Sequence, residues 1–463
     1  MSNMPRQTLD PRTGNASDRL RSILEQNRQG QPLGVYSICS ANRYVLEAGM
    51  LQAKRDEGIL LIESTSNQVN QFGGYIGQTP ADFVRHIREM ARENEFPQDR
   101  IVLGGDHLGP HVWRNEPSRE AMQKACTLVG DYVRARFTKI HLDASMRCAD
   151  DGGDRHEPLP DELVSARAAE LAAAAERAYQ ELPSDAPPPL YVIGTEVPAP
   201  GGGRVESRAP AVTRTDDLAR TLELSREAFR AHGLEDAWER VIAVVVQPGV
   251  EFGDAAVLPY EAENAGALSQ YVVRYWSGVY EAHSTDYQTK DALKSMVRDH
   301  FAILKVGPWL TFVFREAVFA LEEIEKEWLS SRSDVQLSGV RAALERAMVD
   351  NPVHWKGYYQ GNETELRFAR KYSFSDRARY YWPEPYLAEA LRQLIMNLDR
   401  HRPPLSVLGQ YLPNQAEAVR NGALVNQPAD LIRHKILEVI DQYAYACGYG
   451  DRFRPQTASR NAE

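Results

Sequence analysis

The sequence predicts an α/β protein: a (β/α)8 barrel of the TIM type followed by a helical C-terminal extension. Three observations predict it. Eight short runs of apolar and β-branched residues recur between residues 34 and 307, each followed by a loop and a stretch with helical periodicity. The runs are apolar almost throughout, as strands buried on both faces are. No G-x-G-x-x-G follows the first run, which counts against the runner-up, an open doubly wound sheet.

The runs come in order. "GVYSICS" (34–40) leads into "ANRYVLEAGMLQAKRDEG", and "ILLIEST" (59–65) leads through a Gly-rich loop into "TPADFVRHIREMARE". There Thr79 before Pro80 reads as a helix cap. "RIVLGGDH" (100–107) precedes the helical "SREAMQKACTLVGDYVRAR", where Ser118 stands before an acidic first turn. "FTKIHLDAS" (137–145), "LYVIGTEV" (190–197), "RVIAVVVQ" (240–247), "VYEAHST" (279–285) and "AILKVG" (302–307) complete the set. Beyond about residue 330 only helical, aromatic-rich segments follow. The expected organisation is a flexible N-terminal arm (1–30), the barrel (31–329), a helical extension packed on it (330–452) and a disordered tail (453–463). "DAPPP" (185–189) and "APGGGRVESRAP" (199–210) read as loops within the barrel.

Composition narrows the function. Of the 463 residues 43% are hydrophobic and 25% charged, as in an ordinary globular enzyme. A net charge of -10 argues against nucleic acid or an anionic membrane as the main partner and favours a small-molecule substrate. Four scattered cysteines without a C-x-x-C pair read as reduced thiols. With no signal-like h-region and no long apolar run, a cytoplasmic location is expected.

In such a barrel the chemistry sits at the C-terminal ends of the strands. These ends are polar here: Ser40 and Asn42, Glu63 and Ser64, Asp106 and His107, Asp143 and Ser145, Glu196, Gln247, His283 and Ser284, and Lys305 before Gly307. His107, His283 and Glu196 would supply N/N/O ligands to a divalent ion with an open position for substrate, while His141 lies within the fourth strand. Asp106 suits general acid/base work. Asp143, Ser145, Gln247 and Ser284 are further groups for a polar substrate. The loop "STSNQVNQFGGYIGQTP" (64–80) offers Asn67, Gln71, Gly73 and Gly74 as a phosphate or polyol cradle ahead of a helix N-terminus. Lys305 would neutralise a phosphate or an oxyanion, or else pair with a strand-end carboxylate.

Seven motifs carry a resemblance: "IESTSNQVNQFGGYIGQTPADF", "GGDHLGPHVW", "IHLDASM", "IGTEVPAPGG", "VVVQPGVEFG", "YEAHSTDYQT" and "ILKVGPWLTF". In this order, over roughly residues 30 to 430, the chain resembles the D-tagatose-1,6-bisphosphate aldolase subunit family of the GatZ/KbaZ type. The resemblance implies kinship with class II aldolases, zinc-dependent barrels that cleave ketose bisphosphates into two triose phosphates. It implies Asp106 as acid/base, His107 and His283 as zinc ligands, and Lys305 beside a substrate phosphate. The remaining zinc histidine is missing on this reading. Gln247 falls near its place, with Glu196 or Glu251 as substitutes. The implied role is support of a separate class II aldolase catalytic subunit in galactitol or tagatose catabolism, acting on a phosphorylated ketohexose or related sugar. A free-standing metal-dependent ketose aldolase or C4-epimerase is the alternative, and a homo-oligomer is compatible with either. A third label for such sequences, tagatose-6-phosphate kinase, finds no G-x-x-x-x-G-K-[ST] and no late Gly-Ala-Gly-Asp loop.

Overall fold

The computed structural model describes residues 14–153, 158–194 and 210–449. Eight parallel strands close a barrel: β1 Val35–Ile38, β2 Leu60–Thr65, β3 Ile101–Leu108, β4 Lys139–Leu142, β5 Leu190–Ile193, β6 Val241–Val245, β7 Val279–Ala282 and β8 Phe301–Val306. Each strand pairs with its sequence neighbours, and β1 closes the ring on β8 with Val35 opposite Ile303 and Ser37 opposite Lys305. Every one of the eight apolar runs overlaps a strand, β3 ending one residue past its run and β8 beginning one residue before its own. A two-stranded ribbon, Glu251–Phe252 with Val257–Leu258, is inserted after β6.

Side chains alternate along a strand, and the inward set changes character from one end of the barrel to the other. At the N-terminal end Val35, Leu61, Val102, Val192, Ala243, Val279 and Ile303 form an apolar cluster. Two residues further along, β1, β2, β4, β7 and β8 carry Ser37, Glu63, Lys139 or His141, Glu281 and Lys305, all buried. Gly104 on β3 leaves room for Glu63, because a Cβ there would stand 2.6 Å from its Cγ.

A helix, α1 Ala16–Arg28, seals the apolar end. Its Ala16, Leu20, Ile23 and Leu24 join the cluster of strand residues inside the barrel. Asn15 caps the helix by accepting from the Asp18 amide, and Asn27 Nδ2 donates to the carbonyls of Leu33 and Val297. The expected flexible arm over residues 1–30 is therefore corrected for residues 16–28. Leu20, Ile23 and Leu24 share one helical face that the open barrel end buries.

Eight helices follow the strands: α2 Arg43–Arg55, α3 Pro80–Glu93, α4 Ser118–Arg134, α5 Asp161–Gln180, α6 Thr215–Ala231, α7 Ala262–Tyr275, α8 Lys290–Arg298 and α9 Pro308–Leu329. Thr79 caps α3 in a full capping box with Asp82. Ser118, by contrast, is the first helical residue of α4, and Asp150 accepts from its backbone amide at 2.6 Å.

Beyond α9, helical segments continue to a last helix, Pro428–Ala446, packed against α2, α8 and α9. Tyr443 Oη donates to the Thr285 carbonyl at 2.9 Å, just past β7. Arg315 on α9 holds Asp376 of the extension at 2.9 Å, both fully buried. These contacts bring the turn Arg377–Tyr380 to the barrel mouth. No helix among the described residues is long and apolar enough to cross a membrane.

Candidate functional site

The polar layer inside the barrel is an ion network. Lys139 Nζ lies 2.8 Å from Glu63 Oε1 and 2.7 Å from Glu281 Oε2, and all three side chains are fully buried. Lys305 Nζ lies 2.7 Å from Glu63 Oε2, 2.6 Å from Asp106 Oδ1 and 3.8 Å from Glu281 Oε1. Ser37 Oγ donates to Glu63 at 2.7 Å. Burial alone would neutralise these groups, but the close opposite charges prevail. Lys139 and Lys305 are held above the ordinary lysine value, and Asp106 and Glu281 well below the ordinary carboxylate value.

Three histidines stand at the mouth side of this layer. The ring centroids of His107, His141 and His283 are 5.0 to 5.3 Å apart. Each ring has one nitrogen against a carboxylate: His141 Nδ1 at 2.9 Å from Asp106 Oδ1, His107 Nδ1 at 2.7 Å from Asp143 Oδ2, and His283 Nε2 at 3.1 Å from Glu281 Oε1. Such partners fix ring orientation and leave the second nitrogen for a ligand. His141 Nε2 is buried without a hydrogen-bond partner. Burial pushes His283 down to about 4, so it is neutral at neutral pH. For His107, burial is outweighed by Asp106 and Asp143, which raise it. Asp106, His141, Glu281 and His283 offer ligand atoms that all lie within 4.8 Å of one another, so this buried group can hold a metal ion.

The backbone is bent to build the site. His107 has φ of 48° and Ser284 φ of 53°, left-handed conformations that ordinary residues seldom adopt. The β3–β4 register shifts between Gly105 and Leu108. That bend puts consecutive residues, Asp106 and His107, on the wall of one cavity, which a regular strand would send to opposite faces. Gly109 is required next, since a Cβ there would lie 1.6 Å from the Asp143 carbonyl oxygen.

The cavity at the mouth collects Asp106, His107, His283, Ser284, Lys305 and Gly307 from the sequence-derived set. Asp143 stands behind His107 and takes bonds from the Ser145 amide and hydroxyl at 3.1 and 2.6 Å, so Ser145 braces Asp143. Gln247 is engaged in its own turn, where Oε1 accepts from the amides of Gly249 and Val250. In the 64–80 loop the Gly73 and Gly74 amides are turned to the loop's own acceptors. The Gly73 amide donates to the Asn70 carbonyl, the Gly74 amide donates to the Asn70 side chain, and Gln71 donates to the Lys124 carbonyl. The Asn67 carbonyl accepts from the Tyr75 amide. Gln68 and Tyr75 reach the cavity wall instead. Lys305 meets carboxylates, and the Gly307 amide donates to Asp286 at 3.0 Å, so neither presents a free donor to a phosphate. Glu196 lies outside the described residues.

A third histidine, His141, stands beside His107 and His283, while Gln247 is engaged in its own turn. Sequence reasoning passed over His141 because it sits inside a strand. The signal was the alternation K-I-H-L-D over 139–143, polar at every second residue of an otherwise apolar run, repeated as E-A-H over 281–283. The extension's contribution to the wall, Arg379 with Tyr380, left no such pattern.

The family model described as D-tagatose-1,6-bisphosphate aldolase subunit GatZ/KbaZ-like matches residues 20–448. A solved structure described as a probable tagatose 6 phosphate kinase from Sinorhizobium meliloti 1021 is 42% identical, with a TM-score of 0.81, covering 89% of this chain and 100% of that one. The YdjI aldolase from Escherichia coli K12 is more distant, at 14% identity and a TM-score of 0.39 over 65% of this chain and 85% of that one. The fructose-bisphosphate aldolase (Fba) from Campylobacter jejuni is 12% identical, with a TM-score of 0.44 over 83% and 92%. The family match runs from α1 to the end of the last helix and takes in every residue of the mouth described above: the chain belongs to the D-tagatose-1,6-bisphosphate aldolase subunit GatZ/KbaZ-like family.

Proposed function

We propose that this chain carries its own metal-dependent site for making and breaking the C3–C4 bond of a phosphorylated ketohexose, within the chemistry of tagatose-bisphosphate aldolase. The observation that carries this reading is the pair His141 and His283, which with Asp106 and Glu281 bring ligand atoms within 4.8 Å of one another, His107 standing beside both rings and braced by Asp143. Nitrogen donors of this kind suit zinc. When bound, the ion would polarise the ketose carbonyl and stabilise the enediolate left after cleavage.

The chain's own groups do the rest. Asp106, kept ionised by Lys305 and its histidine neighbours, accepts the proton of the C4 hydroxyl as the bond breaks and returns it on re-addition. Asp143 holds His107 in one orientation, and Ser145 holds Asp143. Ser284 stands at the wall as a donor to a sugar hydroxyl.

Two outcomes of the same cleavage follow. Release of both fragments makes an aldolase. Retention, with re-addition to the other face of the aldehyde, inverts C4 and makes an epimerase. The capping of the mouth by Tyr75, Arg379 and Tyr380 favours retention. The family description, a subunit, supports a second reading, in which the chain supports a separate class II catalytic subunit. The kinase named for the Sinorhizobium meliloti relative would need a lysine-bearing phosphate loop, and "GGYIGQTP" has no lysine.

The test is metal analysis of the purified chain with product analysis from D-tagatose 1,6-bisphosphate and D-tagatose 6-phosphate, alone and with a class II aldolase subunit. About one metal per chain, with turnover lost in Asp106→Asn, is the expected result. A metal-free, inactive chain that raises the partner's activity on mixing would replace this reading with the supporting role.

A further inference from the structure

We propose that Arg379, from the helical extension, binds the terminal phosphate of the sugar across the mouth from the histidine cluster. The inference rests on the phosphorylated-ketose reading above and names the residue that recognises the phosphate.

The usual anion positions of the barrel are taken. The N-terminus of α9, after β8, is where such barrels commonly hold a phosphate. Here Asp286 fills it, its Oδ1 accepting from the amides of Gly307 and Trp309 at 3.0 and 2.8 Å. Lys305 is held between Asp106 and Glu63, and the Gly73 and Gly74 amides of the 64–80 loop point to Asn70.

Arg379 is different. It lines the same cavity as Asp106 and His107, and among the described residues it forms no ion pair with a carboxylate. Its guanidinium is aimed by neutral partners: Nη1 donates to the carbonyls of Ser375 and Asp376, and Nη2 donates to Tyr380 Oη at 3.0 Å. The platform beneath it is rigid. Asp376, at φ of 43°, turns the chain and is locked by buried Arg315, while Tyr380 packs against Tyr75 and His354 at 4.7 and 4.8 Å.

A second guanidinium strengthens the field. Arg377 is buried, with Nε and Nη2 lacking hydrogen-bond partners, and it too makes no ion pair among the described residues. Although burial works the other way, Arg379 and Arg377 hold the Tyr380 phenol below its ordinary value. Half-buried Arg379 on the cavity wall and buried Arg377 two residues before it pair directly with no carboxylate among the described residues, Asp376 and Asp286 acting on Arg379 only at longer range. A planar guanidinium matches a phosphate monoester in two parallel hydrogen bonds.

The test is calorimetric titration of the full chain with inorganic phosphate, D-tagatose 6-phosphate and D-tagatose, comparing wild type with Arg379→Gln and Arg379→Lys. The expected result is saturable phosphate binding by wild type that weakens about tenfold or more in Arg379→Gln, is partly kept in Arg379→Lys, and leaves the weak affinity for D-tagatose unchanged. If Arg379→Gln fails to fold, Arg379→Lys carries the comparison, since loss of the two-bond geometry still lowers phosphate affinity. Wild type that does not bind phosphate, or binding indifferent to Arg379, overturns the proposal. Arg379-dependent phosphate binding by a chain that turns over no ketose would uphold it while removing the reaction proposed above.

Discussion

The Lys305 ammonium on β8 and the Asp106 carboxylate on β3 meet at 2.6 Å inside the barrel. Lys305 also compensates Glu63, so its removal leaves two buried carboxylates short of a cation. Breaking a buried pair from one side costs about 3–5 kcal/mol. Lys305→Met is expected to lose stability of that order in urea unfolding and to lose turnover. Adding Glu63→Gln to it should restore part of the stability. A Lys305→Met protein as stable as wild type would show that the network is not charged as described.

Asp143 touches His107 from behind the cavity. Asp143→Asn keeps the shape and removes the charge that orients the ring, so metal affinity, read by competition with a chelator, should fall about 10–100-fold. His141→Gln removes a donor outright and should fall further. Unchanged retention in both would rule out the histidine trio as the metal site.

Asp286 gives a pH signature separable from the histidines. Burial raises its carboxyl to about 6, above the unfolded value of about 3.9. The native chain therefore keeps a proton that the unfolded chain releases, and this group's contribution to stability falls as pH rises from about 4 to 6 and is level above. Asp286→Asn should flatten that fall, the variant gaining roughly 2–3 kcal/mol on wild type across the window. Parallel curves of unfolding free energy against pH would contradict the assignment.

Leu20 is fully buried in the cluster that α1 makes with the strands. Leu20→Ala should cost about 2–5 kcal/mol while leaving metal content unchanged, because the site lies at the other end of the barrel. Metal loss at full occupancy of the folded state would show that the two ends are coupled.

The barrel was readable because burial on both faces forces apolar runs, and each of the eight covers its strand to within one residue at the ends of β3 and β8. His107, Asp106 and His283 were readable because they interrupt such runs at their ends. Lys139, His141 and Glu281 were harder: the barrel interior buries charges only because Glu63, Lys305 and their partners arrive from distant strands, and no local pattern announces that compensation. The same holds for Arg379, whose place at the mouth depends on Arg315 reaching Asp376. The 64–80 loop misled for a different reason. Asn70 satisfies the Gly73 and Gly74 amides internally, and composition does not reveal which acceptor a loop amide will find.

The seam between β1 and β8 also sets a clock for synthesis. Val35 leaves the ribosome early, yet its partner Ile303 and the rest of β8 follow only after most of the chain has been made. At about 5–20 residues per second, that interval is on the order of tens of seconds. Through it the edges of β1 and of each successive last strand stand open to pairing with other chains. High non-local pairing of this kind folds slowly. The α1 segment, made before the strands whose apolar ends it covers in the finished fold, is available throughout that interval to meet each of them as it emerges.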